Sequence, residues 1–185
     1  GNDTMSFGTG ELTAADTVSG GDGADSISYS AAETMIDADM TLVTSVETLK
    51  MGAGALTATL GDVATAAGVN AVTTIGTADD TINIDWDMGD LTVTLDGAGE
   101  DQVLANASYD NKLTVIIDDE DLESVSTFTA GTDDKLTAGA GTTDTLTIRG
   151  GTTAVAVSAL DMTDVTNFEI INTDDFDVTL TLDSL

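Results

Sequence analysis

Threonine alternates with aliphatic residues in five short runs along the chain: LTATL (56–60), LTVTL (91–95), LTVII (113–117), DTLTI (144–148) and VTLTL (178–182). Period-two patterning built on β-branched residues is the mark of strands with one buried face. Clusters of Gly, Asp, Asn and Thr separate the runs, which is turn chemistry. Helical signals are few; residues 30–39 (SAAETMIDAD) and 61–67 (GDVATAA) have room for a turn or two each. No apolar run is long enough to span a bilayer, so the pattern predicts an all-β chain with no membrane insertion.

A repeat lies under the strands. GGDGADSIS (20–28) is followed by TSVETLKM, with Glu47 22 residues beyond Asp25. DGAGEDQVL (96–104) is followed by EDLESVSTF, with Glu123 22 residues beyond Asp101. GAGTTDTLTI (139–148) is followed by TNFEIINT, with Glu169 25 residues beyond Asp144. Units therefore start near 20, 96 and 139, and each runs from a glycine-rich Asp turn through a spacer to a Glu-bearing strand. Such spacing predicts one continuous, irregular solenoid over residues 1–185, in which each coil covers its neighbour's core. The opening GNDT reads as the tail of another such turn, so the chain reads as part of something larger. Stacked β-sandwich domains are the alternative architecture.

GGDGADSIS fits G-G-x-G-x-D-x-U-x at every defined position, U being a bulky apolar residue. Glycines permit a tight turn that aims carbonyl oxygens inward, Asp25 adds a carboxylate, and Ile27 starts a strand. Carbonyls with a carboxylate make a hard oxygen cage suited to Ca²⁺, and this nonapeptide is the repeat of calcium-binding parallel β-helices. Gly20, Asp22, Gly23 and Asp25 are the first candidate ligand set. Looser turns add Asp79 and Asp80 (GTADDTINI), Asp96, Gly97, Gly99 and Asp101 (DGAGEDQVL), and Asp144. Asp16 stands nine residues before Asp25, the spacing of consecutive nonapeptides, but lacks the glycines. Asp3, Asp16 and Asp134 read as ordinary polar turn residues. Glu47, Glu123 and Glu169 read as a solvated strand face, with metal binding or pairing across coils as alternatives. The acidic run Asp118–Asp121 reads as a solvated loop.

Charge narrows the function. Asp and Glu number 34 against 4 Lys and Arg, a net charge of -30. A compact body with that charge repels itself, and divalent cations are the simplest remedy. Four basic residues cannot build a nucleic-acid surface. With no Cys and no His, disulfides, thiol nucleophiles and the commonest general base are absent. Aromatic residues, at 4%, are too few to line a typical sugar-cleaving cleft. The expectation is that the chain is not an enzyme, with a calcium-dependent carbohydrate-active domain the distant alternative. T-x-T pairs at Thr57/Thr59, Thr92/Thr94, Thr145/Thr147 and Thr179/Thr181 are unevenly spaced and read as outward strand threonines rather than an ice-binding ladder.

GGDGADSIS, GTADDTI, the SVETL and NFEII strands, the Thr and Ala richness and the acidity together resemble bacterial surface-layer proteins of the RTX type. That resemblance implies a calcium-stabilised parallel β-helix or β-roll, export from the cell, and calcium-driven assembly with copies of itself at the bacterial surface. Cell-surface polysaccharide is a further partner it suggests. A repeat module of a large secreted adhesin or extracellular filament is the alternative function. The chain departs from the family pattern in scattering its nonapeptides instead of placing them in tandem, so a full site needs a neighbouring coil.

Overall fold

The computed structural model describes residues 1–52, 54–97, 99–118, 134–149, 155–158, 162, 164–173 and 178–181. The chain runs through β1 (Thr4–Phe7), β2 (Val18–Ser19), β3 (Ser26–Tyr29), β4 (Glu33–Met35), β5 (Val43–Thr44), β6 (Thr48–Met51) and β7 (Leu56–Leu60). A single-turn helix, α1 (Asp62–Ala67), precedes β8 (Ala71–Gly76), β9 (Thr81–Ile84), β10 (Leu91–Gly97), β11 (Gln102–Ala105) and β12 (Leu113–Asp118). Then come β13 (Lys135–Thr137), β14 (Thr145–Arg149), β15 (Val155–Ser158), β16 (Val165–Thr166), β17 (Ile170–Thr173) and β18 (Val178–Thr181).

The pairings among these strands are parallel, and they make a β-solenoid. One sheet stacks β1-β3-β6-β8-β10-β12-β14-β17, and a second stacks β16-β13-β11-β9-β7-β4. In the first sheet Thr4, Ser26, Thr48, Ala71, Thr92, Thr114, Thr145 and Ile170 stand side by side. Successive coils thus take 22, 22, 23, 21, 22, 31 and 25 residues. The intervals read from Asp25 to Glu47 and from Asp144 to Glu169 are coil lengths. Each pair occupies adjacent coils at one position of the stack.

Alternation explains the core. In β7 the burial runs in, half, in, half, in, with Leu56, Ala58 and Leu60 inside and Thr57 and Thr59 outside. Ile27, Leu49, Val72, Val93, Val115 and Leu146 form a continuous buried row up the first sheet. Ala58, Ile82, Val103 and Leu136 do the same in the second. Tyr29 and Tyr109 are the large aromatic residues fully inside.

Of the two helical segments, residues 61–67 form α1 as expected, while 30–39 instead hold β4 and lead into a 3₁₀ turn (Asp37–Met40). β4 forms because β7 stands beside it and supplies ladder partners, so tertiary pairing overrides the local Ala-rich signal. α1 has no capping side chain of its own. Asp37 from the preceding coil supplies the cap, its Oδ1 accepting from Gly61 N at 2.8 Å and Ala64 N at 2.9 Å, and its Oδ2 from Val63 N at 3.1 Å. No helix among the described residues is long and apolar enough to cross a membrane.

Candidate functional site

The acidic residues fall into two columns that run along the stack. A parallel strand begins with an N–H, one residue before the ladder, that needs an acceptor. Here the next coil supplies it with a carboxylate. In the first column Asp25 Oδ1 accepts from Asp3 N at 2.6 Å, Glu47 Oε2 from Asp25 N at 2.7 Å, Asp144 Oδ1 from Leu113 N at 2.8 Å and Glu169 Oε2 from Asp144 N at 3.0 Å. In the second column Asp80 Oδ1 accepts from Leu56 N at 2.7 Å, Asp101 Oδ1 from Asp80 N at 2.8 Å and Asp134 Oδ1 from Asp101 N at 2.6 Å. Asp25, Asp80, Asp101, Asp134 and Asp144 are buried. Each lies two residues before an inward aliphatic side chain, so period two carries it to the same inner face.

Two places in the first column share one pattern, with the second turn one residue longer. At one, Asp25 follows the Gly20–Gly23 turn, Gly20 N donates to Thr44 O at 3.0 Å, and the chain passes through Ser45 at φ 55° to Glu47. At the other, Asp144 follows the turn from Gly139, Ala138 N donates to Thr166 O at 3.0 Å, and the chain passes through Asn167 at φ 64° to Glu169. The Asp carbonyl accepts from the Glu N–H in both, at 3.1 and 3.2 Å. In both, the second Asp oxygen, Asp25 Oδ2 or Asp144 Oδ2, is buried without a well-formed hydrogen bond, the Gly139 amide exerting only a weak pull on the Asp144 carboxylate. An unsatisfied buried carboxylate oxygen is costly, and its recurrence at matched places ties the cost to the motif.

Glycine is required at these turns by close approach. A Cβ on Gly20 would overlap the Ser45 carbonyl oxygen and sit 2.8 Å from Asp25 Oδ2. A Cβ on Gly141 would sit 2.9 Å from both Asp144 carboxylate oxygens and 3.1 Å from Asn111 O. Each turn thus sets a carboxylate beside a backbone carbonyl with no side chain between. Among the described residues no three acidic side chains converge as a metal cluster. A hard cation at either place would therefore draw on the Asp oxygen and backbone carbonyls, the donor set that suits Ca²⁺.

The other candidates sort differently. Asp22 is exposed, and its carbonyl accepts from the Gly1 amino group at 2.7 Å. Gly23, at φ 148°, shapes the same turn. Exposed Asp79 accepts from Glu100 N at 3.0 Å, and Gly99 packs on the Ala78 carbonyl, so the turns carrying Asp79–Asp80 and Gly97–Asp101 are stacked neighbours. Gly97 ends β10 opposite Gly76. Asp96 faces outward and pairs with Arg149 at 3.2 Å, while Arg149 also lies 3.4 Å from Asp118. Asp16 Oδ2 accepts within its own loop, from Thr13 N at 2.9 Å and Thr13 Oγ1 at 2.7 Å. Glu123 and Asp119–Asp121 lie outside the described residues.

Three expectations change. Glu47 and Glu169 pair across coils instead of forming a free solvated face. Asp134 is a buried column member and not a polar turn residue; its spacing to Leu136 repeats that of Asp144 to Leu146 and was the available signal. The T-x-T pairs come only partly into register in space: Thr92 stands beside Thr114 beside Thr145, but Ile116 separates Thr94 from Thr147. Hydroxyls line the second sheet's outer face as well, at Thr34, Thr57 and Thr81.

Burial sets the electrostatics. Asp80 is pushed up to about 6, first by desolvation, with the Leu56 amide opposing and Asp101 and Asp79 adding to the rise. Desolvation also raises Asp101, against the pull of the Asp80 amide and Thr74. Asp144 is raised by desolvation and by Glu169, held back by the Leu113 and Gly139 amides. Compared with protein-family models, curated proteins and solved structures, the chain matches none of them.

Proposed function

We propose that this chain is a section of an extracellular structural protein that calcium folds and drives to assemble with copies of itself, as in a bacterial surface layer. The observation that carries the reading is the pair of matched buried oxygens, Asp25 Oδ2 and Asp144 Oδ2, each without a well-formed hydrogen bond beside a glycine turn. Asp25 with the carbonyls of the Gly20–Gly23 turn would hold one ion, and Asp144 with those of the turn from Gly139 the other. A bound Ca²⁺ supplies charge neutralisation and oxygen coordination. The chain itself brings coils into register, keeps side chains out of the turns, and holds each Asp through its Oδ1 bond to the preceding coil.

Linkage turns binding into folding. A ligand that binds only the folded chain stabilises it, and a net charge of -30 makes that contribution decisive for coils that otherwise repel. Millimolar extracellular calcium would favour folding after export. Circular dichroism and light scattering in calcium or in chelator test the reading. Calcium should raise β-content or melting temperature and then produce larger particles. The same spectrum, melting curve and particle size in both would overturn it.

A further inference from the structure

At two places in the chain a hydroxyl residue stands two positions after an asparagine: Asn2-Asp3-Thr4 and Asn106-Ala107-Ser108. N-x-S/T, with x other than Pro, is the acceptor pattern for N-linked modification of exported proteins. In a chain this rich in Thr the pattern arises easily, so conformation has to decide which copy can be used.

The two copies differ in conformation. Asn2 leads into β1, where Thr4 is ladder-paired with Ser26 and its Oγ1 shares a 2.9 Å hydrogen bond with Ser26 Oγ. Asn2 Oδ1 accepts from Ala24 N at 3.1 Å. Extended backbone holds residues two apart at about 7 Å, and here both side chains are already engaged by the next coil. Asn106 instead sits where β11 ends and the chain turns, and Asn106, Ala107 and Ser108 are exposed. Asn106 Oδ1 accepts from Ser108 N at 2.9 Å, and Asn106 O accepts from Tyr109 N at 2.8 Å. This is an Asx turn, which closes the amide and the hydroxyl residue into one compact unit. Asn106 Nδ2 has one loose neighbour, Asp85 Oδ1 at 3.4 Å. Tyr109 is fully buried and donates its hydroxyl to Gly89 O at 2.9 Å, so it pins the turn to the core. A group attached at Nδ2 therefore leaves the core packing untouched.

We propose that Asn106 is an acceptor for N-linked glycosylation of the folded chain, and that Asn2 is not. The inference rests on the export in the proposed function and not on calcium binding. The donor class is an oligosaccharide carried on a polyprenyl diphosphate. Nδ2 bonds to the anomeric carbon, and the bond from that carbon to the diphosphate oxygen breaks, its electron pair leaving with the diphosphate. One Nδ2 proton passes to a base of the transferase. Ser108 supplies the hydroxyl by which the transferase recognises the acceptor.

The test uses the folded chain in calcium buffer, a purified oligosaccharyltransferase of N-x-S/T specificity and its lipid-linked oligosaccharide, with peptide mass spectrometry as the readout. The expected product carries one glycan, at Asn106, with Asn2 bare. Ser108→Ala keeps the backbone N–H that closes the turn and should abolish transfer with an unchanged circular dichroism spectrum. Ser108→Thr should retain it. An unmodified Asn106 in the folded parent overturns the proposal, as does equal occupancy at Asn2 or transfer that survives Ser108→Ala. Calcium titration of the same samples separates the two readings. A chain that takes the glycan at Asn106 but ignores calcium sinks the calcium reading and leaves this site standing; a chain that responds to calcium with Asn106 bare sinks this site alone.

Discussion

The two acidic columns use one device and end in different states. Both place a carboxylate where it accepts an N–H from the preceding coil. In the second column, Asp80, Asp101 and Asp134 follow one another without interruption. Burial strips these carboxylates of water and neighbouring acids add to the effect, so Asp80 and Asp101 hold protons more tightly. In the first column Leu91 and Leu113 occupy the middle coils, and each Asp is followed by a Glu whose longer arm reaches back from a less buried position. There the strain sits on a single Asp oxygen beside a glycine turn. A proton relieves Asp80 and Asp101 in the second column and Asp144 in the first; the proposed cation would serve the first alone.

The sharpest break is steric. Gly20→Ala drives a Cβ into the Ser45 carbonyl, backbone that cannot move without shifting the coil. It should cost about 3 kcal/mol or more, read as a fall in the urea midpoint, and should remove the calcium response of that station alone.

Acid should act next, on buried members of both columns. Asp80 is held at about 6 against an ordinary 3.8, so the folded chain binds this proton more tightly than the unfolded one. Its contribution is fully present below 3.8 and lost as pH rises through about 6. Asp101 and Asp144 shift the same way. With chelator present, stability should therefore rise as pH falls from about 7.5 to about 5, by about 1.4 kcal/mol from Asp80 alone, with Asp101 and Asp144 adding in the same direction, while the solution stays above the pI of about 4.1. Urea melts at stepped pH read this directly, and a fall in stability over that window would contradict the assignment.

Removing one acceptor probes the shared device. Asp101→Ala leaves the buried Asp80 N–H without its partner and should cost about 2 kcal/mol. Asp101→Asn keeps an acceptor and removes a charge beside Asp80, so at neutral pH it should be neutral or stabilising. Equal losses in the two variants would mean that charge is not what strains this column. The smallest effect belongs outside both columns. Arg149→Ala breaks a half-exposed bridge to Asp96 and Asp118 and should cost less than about 1 kcal/mol without altering the pH profile.

Much of this was readable from residues. Alternating Thr and aliphatic runs gave the strands, while the 22- and 25-residue intervals, read as spans within one unit, are coil lengths. What the intervals did not reveal is that Asp25 and Glu47 are neighbours, since sequence distance alone does not say whether two residues begin and end a unit or stack. Asp101 resembles Asp25 locally, with glycines before it and an aliphatic residue two places on. It nonetheless stands in the other column, because a coil has two corners that use the same local chemistry. The buried role of Asp134 was hidden for the same reason. Gly131 alone precedes it in place of the nonapeptide glycines, and burial follows from inward period-two placement, which needs none.

Calcium titration by calorimetry of the parent chain and of the Asp25→Asn, Asp144→Asn double variant tests the matched stations most directly. Asn keeps the Oδ1 acceptor toward the preceding coil and removes the charge on the second oxygen. The parent should bind one ion at each station. The double variant should bind neither, and in chelator it should be at least as stable as the parent. Unchanged stoichiometry in the double variant, or no calcium binding by the parent, would contradict the account.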